Sequence, residues 1–332
     1  MATSGRYIKI EYLCHCCMKP DNFYQQLKIM KINKPVFFGA MAICFAAILW
    51  GLDGIVLTPR LFRLDITLVV FIFHALPFLI MNIFLFGEYK ALKRFTAADV
   101  FFFVMLSLLG GAIGTMAIVK ALFLVEFKTL TVVVLLQKLQ PVFAITLAAL
   151  LLKEKLKPNF VLWAVVAVVA GYFLTFGLHL PDFKTGSNTM LAAGYALLAA
   201  FSFGSSTVLS KKILEKYAFV TATFYRYGFT TIIMLLIAAV AGTLPAISGV
   251  NQREWMIFLI IAFTTGSGAI LLYYLGLMRV RAMLATICEL CFPVSAVIFD
   301  YVFNGKMLSP LQWASASIMI FAILKLSIQK AG

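Results

Sequence analysis

The chain has few charged side chains, and only 13 of its residues are acidic. Charged residues make up 12% of the 332 positions, whereas 63% are hydrophobic and the mean hydropathy is +1.01. A soluble domain of this length needs a far more polar surface, so the composition excludes one and indicates a chain embedded in lipid. The net charge of +15 does not indicate nucleic acid binding, because the basic residues form short clusters between apolar runs, as cytoplasmic loops do.

Histidine and cysteine are scarce as well. The three histidines, His15, His74 and His179, lie on separate segments, and neither a paired-histidine nor an Asp-rich motif occurs. A membrane-embedded enzyme needs such a constellation, so an enzyme is disfavoured and no cofactor is predicted. The chain also lacks a Walker-type Gly-Lys-Ser/Thr stretch, which argues against nucleotide hydrolysis by this chain. The six cysteines are too scattered for a disulfide framework.

Residues 1–34 carry six basic residues and no apolar core, so they do not resemble a cleaved signal peptide. The run Cys14-His15-Cys16-Cys17 could bind a metal or carry a fatty acyl group. No second ligand pair follows at zinc-site spacing, which favours a floppy cytoplasmic extension instead. A true start at Met18 or Met30 is an open alternative.

Ten apolar stretches follow, each of about twenty residues, the length that crosses a bilayer as a helix. They are 36–57, 66–86, 100–125, 130–152, 160–180, 190–209, 219–241, 255–278, 283–303 and 308–328. The connecting loops are so short that neighbouring helices must be antiparallel. The sequence therefore predicts an all-α polytopic membrane protein with ten transmembrane helices.

The basic residues also predict the orientation of these spans. Eighteen Lys and Arg residues fall on the side of the N-terminus and six on the opposite side. Cytoplasmic loops collect positive charge, so both termini are expected in the cytoplasm, and ten spans satisfy that parity. The expected location is the cell (inner) membrane.

The chain repeats itself. Residues 46–51 (AAILWG) reappear as 199–204 (AAFSFG), and residues 137–158 reappear as 289–310, at offsets of 153 and 152 residues. Five spans in each copy make the second copy antiparallel to the first, which is the architecture of alternating-access transporters. The predicted domains are 1–34, then a first repeat at 35–181 and a second at 189–328.

Several local patterns carry a resemblance to a known family. They are Trp50-Gly51, Ala121-Leu122, Pro141, Lys153-Glu154-Lys155 and Gly171 in the first copy, and Phe203-Gly204, Tyr273-Tyr274-Leu275-Gly276-Leu277 and Pro293 in the second. In order and spacing the chain resembles EamA-type members of the drug/metabolite transporter superfamily from residue 36 to 328. The resemblance implies two five-helix repeats, a metabolite as substrate and a peripheral place for spans five and ten. Two positions depart from the family pattern. Lys306 stands where the family often has an acidic residue. The family often has an arginine in the second span, which Arg226 matches in the second copy but only the neighbourhood of His74 matches in the first.

Charged and polar side chains within the spans are the candidate site, since a charge at the centre of a lipid-embedded helix costs roughly 2.5 to 3.5 kcal/mol. Depth along each span predicts two clusters related by the repeat. The outer cluster comprises Asp53, His74, Lys120, Gln137 and Lys138. The inner cluster is built on an ion pair between Arg226 and Glu289. Snorkelling of Asp53 and Lys120 to the outer interface is the alternative.

Proline, glycine and aromatic residues add further candidates. Pro141 and Pro293 are predicted in mid-helix, where each would free a backbone carbonyl one turn earlier, at Gln137 and Glu289; a plain packing kink is the alternative. Gly110, Gly111 and Gly114 match Gly266 and Gly268, which predicts close helix packing, with sliding as a second role. Trp50, Tyr273 and Tyr274 are candidates for contact with substrate, although most aromatic residues must simply pack.

The predicted function is secondary transport of small metabolites such as amino acids, with export favoured, through a central cavity between the repeats. The predicted substrate-binding residues are Glu289, Lys138, Gln137, Arg226, Tyr273, Tyr274, Trp50 and His74. Gating or ion coupling is assigned to Asp53, Lys120, Pro141 and Pro293. The partners are a small-molecule substrate, membrane lipids and a coupling proton or other ion. The alternative is a lipid or prenyl-carrier translocase on the same fold.

Overall fold

The computed structural model describes residues 34–125, 133, 136–178, 187–305, 307 and 309–328. The predicted N-terminal extension, with its Cys14–Cys17 run, lies outside these residues. So do His179, Lys306 and most of the first third of the predicted fourth span. Within the described ranges the chain forms helices joined by turns and short loops, with no strand.

The apolar runs fold as helices close to their predicted positions. In chain order these are α1 (Lys34–Leu61), α2 (Ile66–Phe84), α3 (Ala97–Leu124), α4 (Gln140–Leu151), α5 (Pro158–Phe176), α6 (Ser187–Leu214), α7 (Phe219–Val240), α8 (Gln252–Leu277), α9 (Ala282–Asn304) and α10 (Pro310–Ile328). Within the described part of the chain, eight are long and apolar enough to cross a membrane, and α4 and α5 are shorter apolar helices. The chain is therefore an all-helical, polytopic membrane protein.

The starts of α3 and α8 carry the same local signal. Thr96 and Asp99 form a reciprocal capping box at α3, and Asn251 and Glu254 form one at α8. Each box satisfies backbone N–H groups that the first turn of a helix leaves without a partner. These two helices thus begin in the same way in the two halves.

Helices of the first half pack mainly on helices of the second half. The helix α1 contacts α8 and α9, while α6 contacts α3 and α4, and α2 lies against α7. The helices α5 and α10 pack chiefly on each other, with the rings of Trp163 and Phe321 5.5 Å apart. The space between the halves is therefore enclosed by α1–α4 and α6–α9.

The duplicated aromatic-glycine motif lies where two of these helices cross. A methyl group at Gly51 of α1 would overlap Ser295 of α9, and one at Gly204 of α6 would lie 2.9 Å from the Gln140 carbonyl oxygen of α4. Small residues are required wherever helix backbones approach this closely. The glycines of the motif are therefore packing residues.

Several helices are interrupted at corresponding positions. A π-helical turn occupies Ser107–Ile113 in α3 and another occupies Ala262–Gly266 in α8. Such turns widen the helix locally and occur often at functional sites. A further π-helical turn, Asp53–Leu57, lies near the end of α1.

The predicted mid-helix prolines lie instead in the first turn of a helix. Residues 138 and 139 form a turn before α4, so Pro141 follows the break, and α9 is broken between Cys288 and Cys291, so Pro293 follows that break. Proline is tolerated in a first turn because its missing N–H has no partner there in any case. The Glu289 carbonyl is not free, since it accepts a hydrogen bond from the Phe292 amide at 2.9 Å.

Candidate functional site

A central cavity of about 710 Å³ lies between the two halves. Its size falls within the range of about 300 to 1,000 Å³ that is typical of small-molecule sites. Among the predicted residues, it is lined by Trp50, Asp53, His74, Gln137, Lys138, Pro141, Arg226, Tyr273, Glu289 and Pro293. Members of both predicted clusters therefore line one cavity.

Glu289, at the break in α9, lies at the centre of a hydrogen-bond network. The Tyr273 hydroxyl donates to Glu289 Oε1 at 2.7 Å, and the Thr207 hydroxyl lies 3.3 Å from the same oxygen. The Gln140 side-chain amide donates to Glu289 Oε2. Four helices, α4, α6, α8 and α9, thus contribute to holding one carboxylate.

Arg226 of α7 takes a separate set of partners. One guanidinium nitrogen donates to the Tyr274 hydroxyl at 2.9 Å and another to the Gly110 carbonyl at 3.2 Å. The Tyr274 hydroxyl is also 2.8 Å from that of Ser210. A side chain at Gly110 would overlap Ser206 and approach the guanidinium within 3.1 Å, so glycine there makes room for both.

The predicted ion pair between Arg226 and Glu289 is not formed. Among the described residues, Arg226 donates to a tyrosine and a backbone carbonyl, whereas Glu289 accepts from Tyr273, Thr207 and Gln140. Their tyrosine partners, Tyr274 and Tyr273, are consecutive on α8, with ring centroids 5.9 Å apart. The opposite charges therefore remain separate within the site.

Asp53 and His74 reach the cavity from α1 and α2. The hydroxyl of Thr58, five residues further along the chain, donates to Asp53 Oδ1 at 3.1 Å. His74 is buried, its Nδ1 donates to the Val70 carbonyl at 2.9 Å, and its ring lies 5.5 Å from that of Tyr227. These partners leave the Nε2 of His74 as its remaining polar atom.

Lys138 lies in the turn before α4. Its ammonium group donates to the Gly171 carbonyl of α5, and the side chain also borders a second cavity of about 400 Å³ between this turn and α5. Gln137, its neighbour, lines the central cavity. The first half thus contributes a lysine and an amide at the position where the second half contributes Glu289.

Two predicted site residues do not line the central cavity. Lys120 is exposed at the surface of α3, so its predicted place in the outer cluster is wrong. Tyr274 is fully buried behind the lining, where its hydroxyl holds Arg226. It is therefore a supporting residue of the site.

Aromatic side chains cover much of the cavity wall. Trp50 lies 5.4 Å from Tyr273, ring centroid to ring centroid, and both line the cavity together with Phe203, Tyr227 and Phe292. Trp50 and Phe203 are the aromatic members of the duplicated motif. The cavity therefore combines flat apolar surfaces with a few fixed polar groups.

Sequence reasoning missed Gln140, Thr207 and Ser206. All three line the cavity, and the first two contact Glu289. Gln140 directly precedes Pro141, and Thr207 follows Phe203 by one helical turn. Both therefore lie beside residues that the sequence itself indicates, Pro141 as a helix-distorting proline and Phe203 as part of the duplicated motif. Uncharged polar residues within apolar spans give a weaker signal than charges.

Polar contacts also join the halves away from the cavity. Glu154, after α4, accepts the Ala282 and Met283 amides at the start of α9, at 2.8 and 3.1 Å. Beyond α1, Arg63 donates to both carboxylate oxygens of Glu254, at 3.1 and 2.8 Å. The hydrogen bonds and charge of Glu254 raise the pKa of the Arg63 guanidinium.

Comparison with known proteins assigns a family to this arrangement. The model of the EamA-like transporter family matches residues 37–177 and 190–328. The two matches together cover most of the chain, which therefore belongs to the EamA-like transporter family. The protein is accordingly a multi-pass membrane transporter rather than an enzyme.

Individual relatives and one solved structure agree with this family. The chain is 55% identical over 291 residues to the riboflavin transporter ImpX of Fusobacterium nucleatum subsp. nucleatum, which covers 87% of this chain and 97% of that protein. It is 24% identical over 165 residues to an uncharacterised transporter of Clostridium kluyveri, covering 50% and 53%. One crystal structure aligns with a TM-score of 0.60 at 17% identity, covering 86% of this chain and 94% of that one, and so has a similar fold.

Proposed function

We propose that this protein is a secondary transporter of riboflavin that works by alternating access through the central cavity. The observation that carries the proposal is the cavity itself, in which aromatic walls and fixed polar groups from both halves enclose about 710 Å³. The 55% identity to a riboflavin transporter over most of both chains supports the choice of substrate. Amino acids, the substrates suggested by sequence alone, are the competing class.

Riboflavin suits the lining in two respects. Its isoalloxazine ring is flat and aromatic, which fits a space between rings such as Trp50, Tyr227 and Tyr273. Its ribityl chain and pyrimidine edge need hydrogen-bond partners, which Glu289 and Arg226 supply from the cavity lining. A pocket with few, fixed polar groups on apolar walls is the usual design for such a ligand.

Alternating access needs two structurally equivalent halves, and the helix contacts support the equivalence of the two halves. Exchanging each helix with the one five positions away converts the α1 contacts with α8 and α9 into the α6 contacts with α3 and α4. The same exchange maps the π-helical turn of α3 onto that of α8, and the break before α4 onto the break in α9. We therefore propose ten spans in two inverted five-helix repeats, with α4 and α5 completing the first.

The proposed orientation and coupling follow from charge. The excess of basic residues on one side supports cytoplasmic termini in the cell membrane. Glu289 is the proposed carrier of a coupling proton, because it is a carboxylate that lines the cavity within the membrane. Export, predicted from sequence, stays a prediction that counterflow measured in both directions tests.

The polar lining also bears on the lipid-translocase alternative. A lipid translocase needs a route along which acyl chains stay in the bilayer, whereas Glu289, Arg226, Asp53 and His74 all lie within the central cavity. Water-soluble substrates are therefore favoured. A lipid remains the alternative if none of the water-soluble compounds in the counterflow experiment exchanges.

Counterflow in proteoliposomes tests the proposed substrate. Vesicles preloaded with unlabelled riboflavin should accumulate labelled riboflavin, whereas vesicles preloaded with amino acids or nucleotides should not. Preloading and external addition are then exchanged to compare the two directions, with and without a pH gradient. Exchange of an amino acid without exchange of riboflavin would contradict the proposal.

A further inference from the structure

The central cavity is lined by two groups of opposite charge, and each is bound by one of two consecutive tyrosines. Tyr273 binds Glu289 with its hydroxyl, and the adjacent Tyr274 binds Arg226 with its own. The two residues are consecutive on α8, and their rings are 5.9 Å apart. One short stretch of helix thus fixes both a carboxylate and a guanidinium without letting them pair.

The Glu289 carboxylate retains acceptor capacity toward the cavity. Its Oε1 accepts from Tyr273 and lies 3.3 Å from the Thr207 hydroxyl, while Oε2 accepts from Gln140. An ionised carboxylate offers about four acceptor positions. Because Glu289 lines the cavity, the remaining position is suited to a hydroxyl donor on the substrate.

The Arg226 guanidinium retains donor capacity toward the same cavity. It has five N–H groups, of which one donates to Tyr274 and one to Gly110. No carboxylate among the described residues pairs with it, although it lines the cavity. Its remaining donors suit a planar edge on which a carbonyl oxygen lies next to a ring-nitrogen acceptor, because a guanidinium can donate two parallel hydrogen bonds to such a pair.

We propose that Arg226 and Glu289 fix the orientation of a flavin in the cavity. The dioxopyrimidine edge of the ring system binds Arg226, and the ribityl hydroxyls bind Glu289. This assignment rests on the proposed function. The reverse orientation would bring the two ring carbonyls against a carboxylate and leave the guanidinium with weaker hydroxyl acceptors, so the charges disfavour it.

A comparison of two ligands and two variants tests this orientation. Riboflavin and lumiflavin share the ring system, but lumiflavin has a methyl group in place of the ribityl chain. Dissociation constants are measured from flavin fluorescence with the purified full chain as wild type, Glu289→Gln and Arg226→Lys. Thermal unfolding of each variant confirms that it remains folded, and both substitutions are close in size to the native residue.

The proposal predicts unequal effects. Glu289→Gln should weaken riboflavin about tenfold and lumiflavin less than twofold, since only riboflavin has the hydroxyls. Arg226→Lys should weaken both ligands by a similar factor, because both have the pyrimidine edge. Equal effects of Glu289→Gln on the two ligands would overturn the orientation, and so would an Arg226→Lys effect confined to riboflavin.

The failure of the orientation and that of the proposed function give different results. A wild-type protein that binds neither flavin contradicts the function itself. A wild-type protein that binds riboflavin, but whose affinity for both flavins is unchanged by Arg226→Lys, keeps the function and overturns the orientation, because the ring edge would then contribute nothing at Arg226.

Discussion

The Tyr273 hydroxyl donates a hydrogen bond to Glu289 Oε1 over 2.7 Å, which links α8 to the break in α9. Both residues line the central cavity, and Tyr273 also packs against Trp50. A carboxylate within the membrane is costly unless such donors surround it. The contact therefore positions the Glu289 carboxylate in the proposed site.

Removing this hydroxyl should weaken the site without collapsing the fold. Tyr273→Phe keeps the ring against Trp50 but leaves Glu289 with one donor fewer, and a lost bond to a charged group costs about 1.5 to 3 kcal/mol. We expect the unfolding free energy to fall by about that amount, and riboflavin affinity, measured by fluorescence titration, to fall as well because Glu289 is no longer held in place. Tyr89→Phe is the matched control, because the Tyr89 hydroxyl binds Asn82 outside the cavity. Equal affinities in the two variants would contradict the role of Tyr273.

A methyl group at Gly110 should displace Arg226 and Ser206. The added carbon would overlap the Ser206 hydroxyl and lie 3.1 Å from a guanidinium nitrogen, so Gly110→Ala requires repacking of α3, α6 and α7. Overpacking of this kind costs about 1 to 3 kcal/mol. We expect a lower midpoint of thermal unfolding and slower counterflow.

Gly194→Ala is the control for this substitution. No atom lies within 4 Å of a methyl group there, and alanine is favoured over glycine in a helix by about 1 kcal/mol. Its unfolding midpoint should be unchanged or higher. If Gly110→Ala behaves like Gly194→Ala, the close approach at Gly110 does not constrain the site.

Glu154 should stabilise the start of α9. Its carboxylate accepts the Ala282 and Met283 amides, and negative charge at a helix N-terminus is favourable. Glu154→Gln retains one acceptor and loses the charge, so we expect a loss of about 1 kcal/mol in unfolding free energy. Urea unfolding in detergent, followed by circular dichroism, measures it.

Glu215→Gln provides the comparison for Glu154. Glu215 pairs with Lys212 on an exposed surface, where ion pairs contribute little. A smaller change for Glu154→Gln than for Glu215→Gln would refute the capping role.

The helical framework could be predicted because it depends on apolar length alone. The duplicated motif also identified Trp50, and charge within the apolar spans identified Glu289 and Arg226; all three line the cavity. The prediction of an ion pair between Arg226 and Glu289 was wrong because the position of a residue along a span gives its level in the membrane but not the direction in which its side chain points around the helix. The placement of Lys120 was wrong for the same reason, since the sequence predicted its level but not that it is exposed.

The partners of the charged residues were harder to predict. Gln140 and Thr207 reach Glu289 from α4 and α6, across sequence separations of 149 and 82 residues. No local pattern encodes such a contact. The breaks beside Pro141 and Pro293 were misplaced because proline marks a first helical turn as readily as a mid-helix kink.

Riboflavin counterflow by cavity variants tests the central claim, that transport depends on charged residues of the cavity. The wild type is compared with Glu289→Gln and Arg226→Met, and with Lys120→Met as a control that removes a charge from an exposed position on α3. The account predicts that wild type and Lys120→Met exchange riboflavin at similar rates, while both cavity variants lose at least tenfold. Undiminished exchange by Glu289→Gln and Arg226→Met, in vesicles containing equal amounts of folded protein, would contradict it.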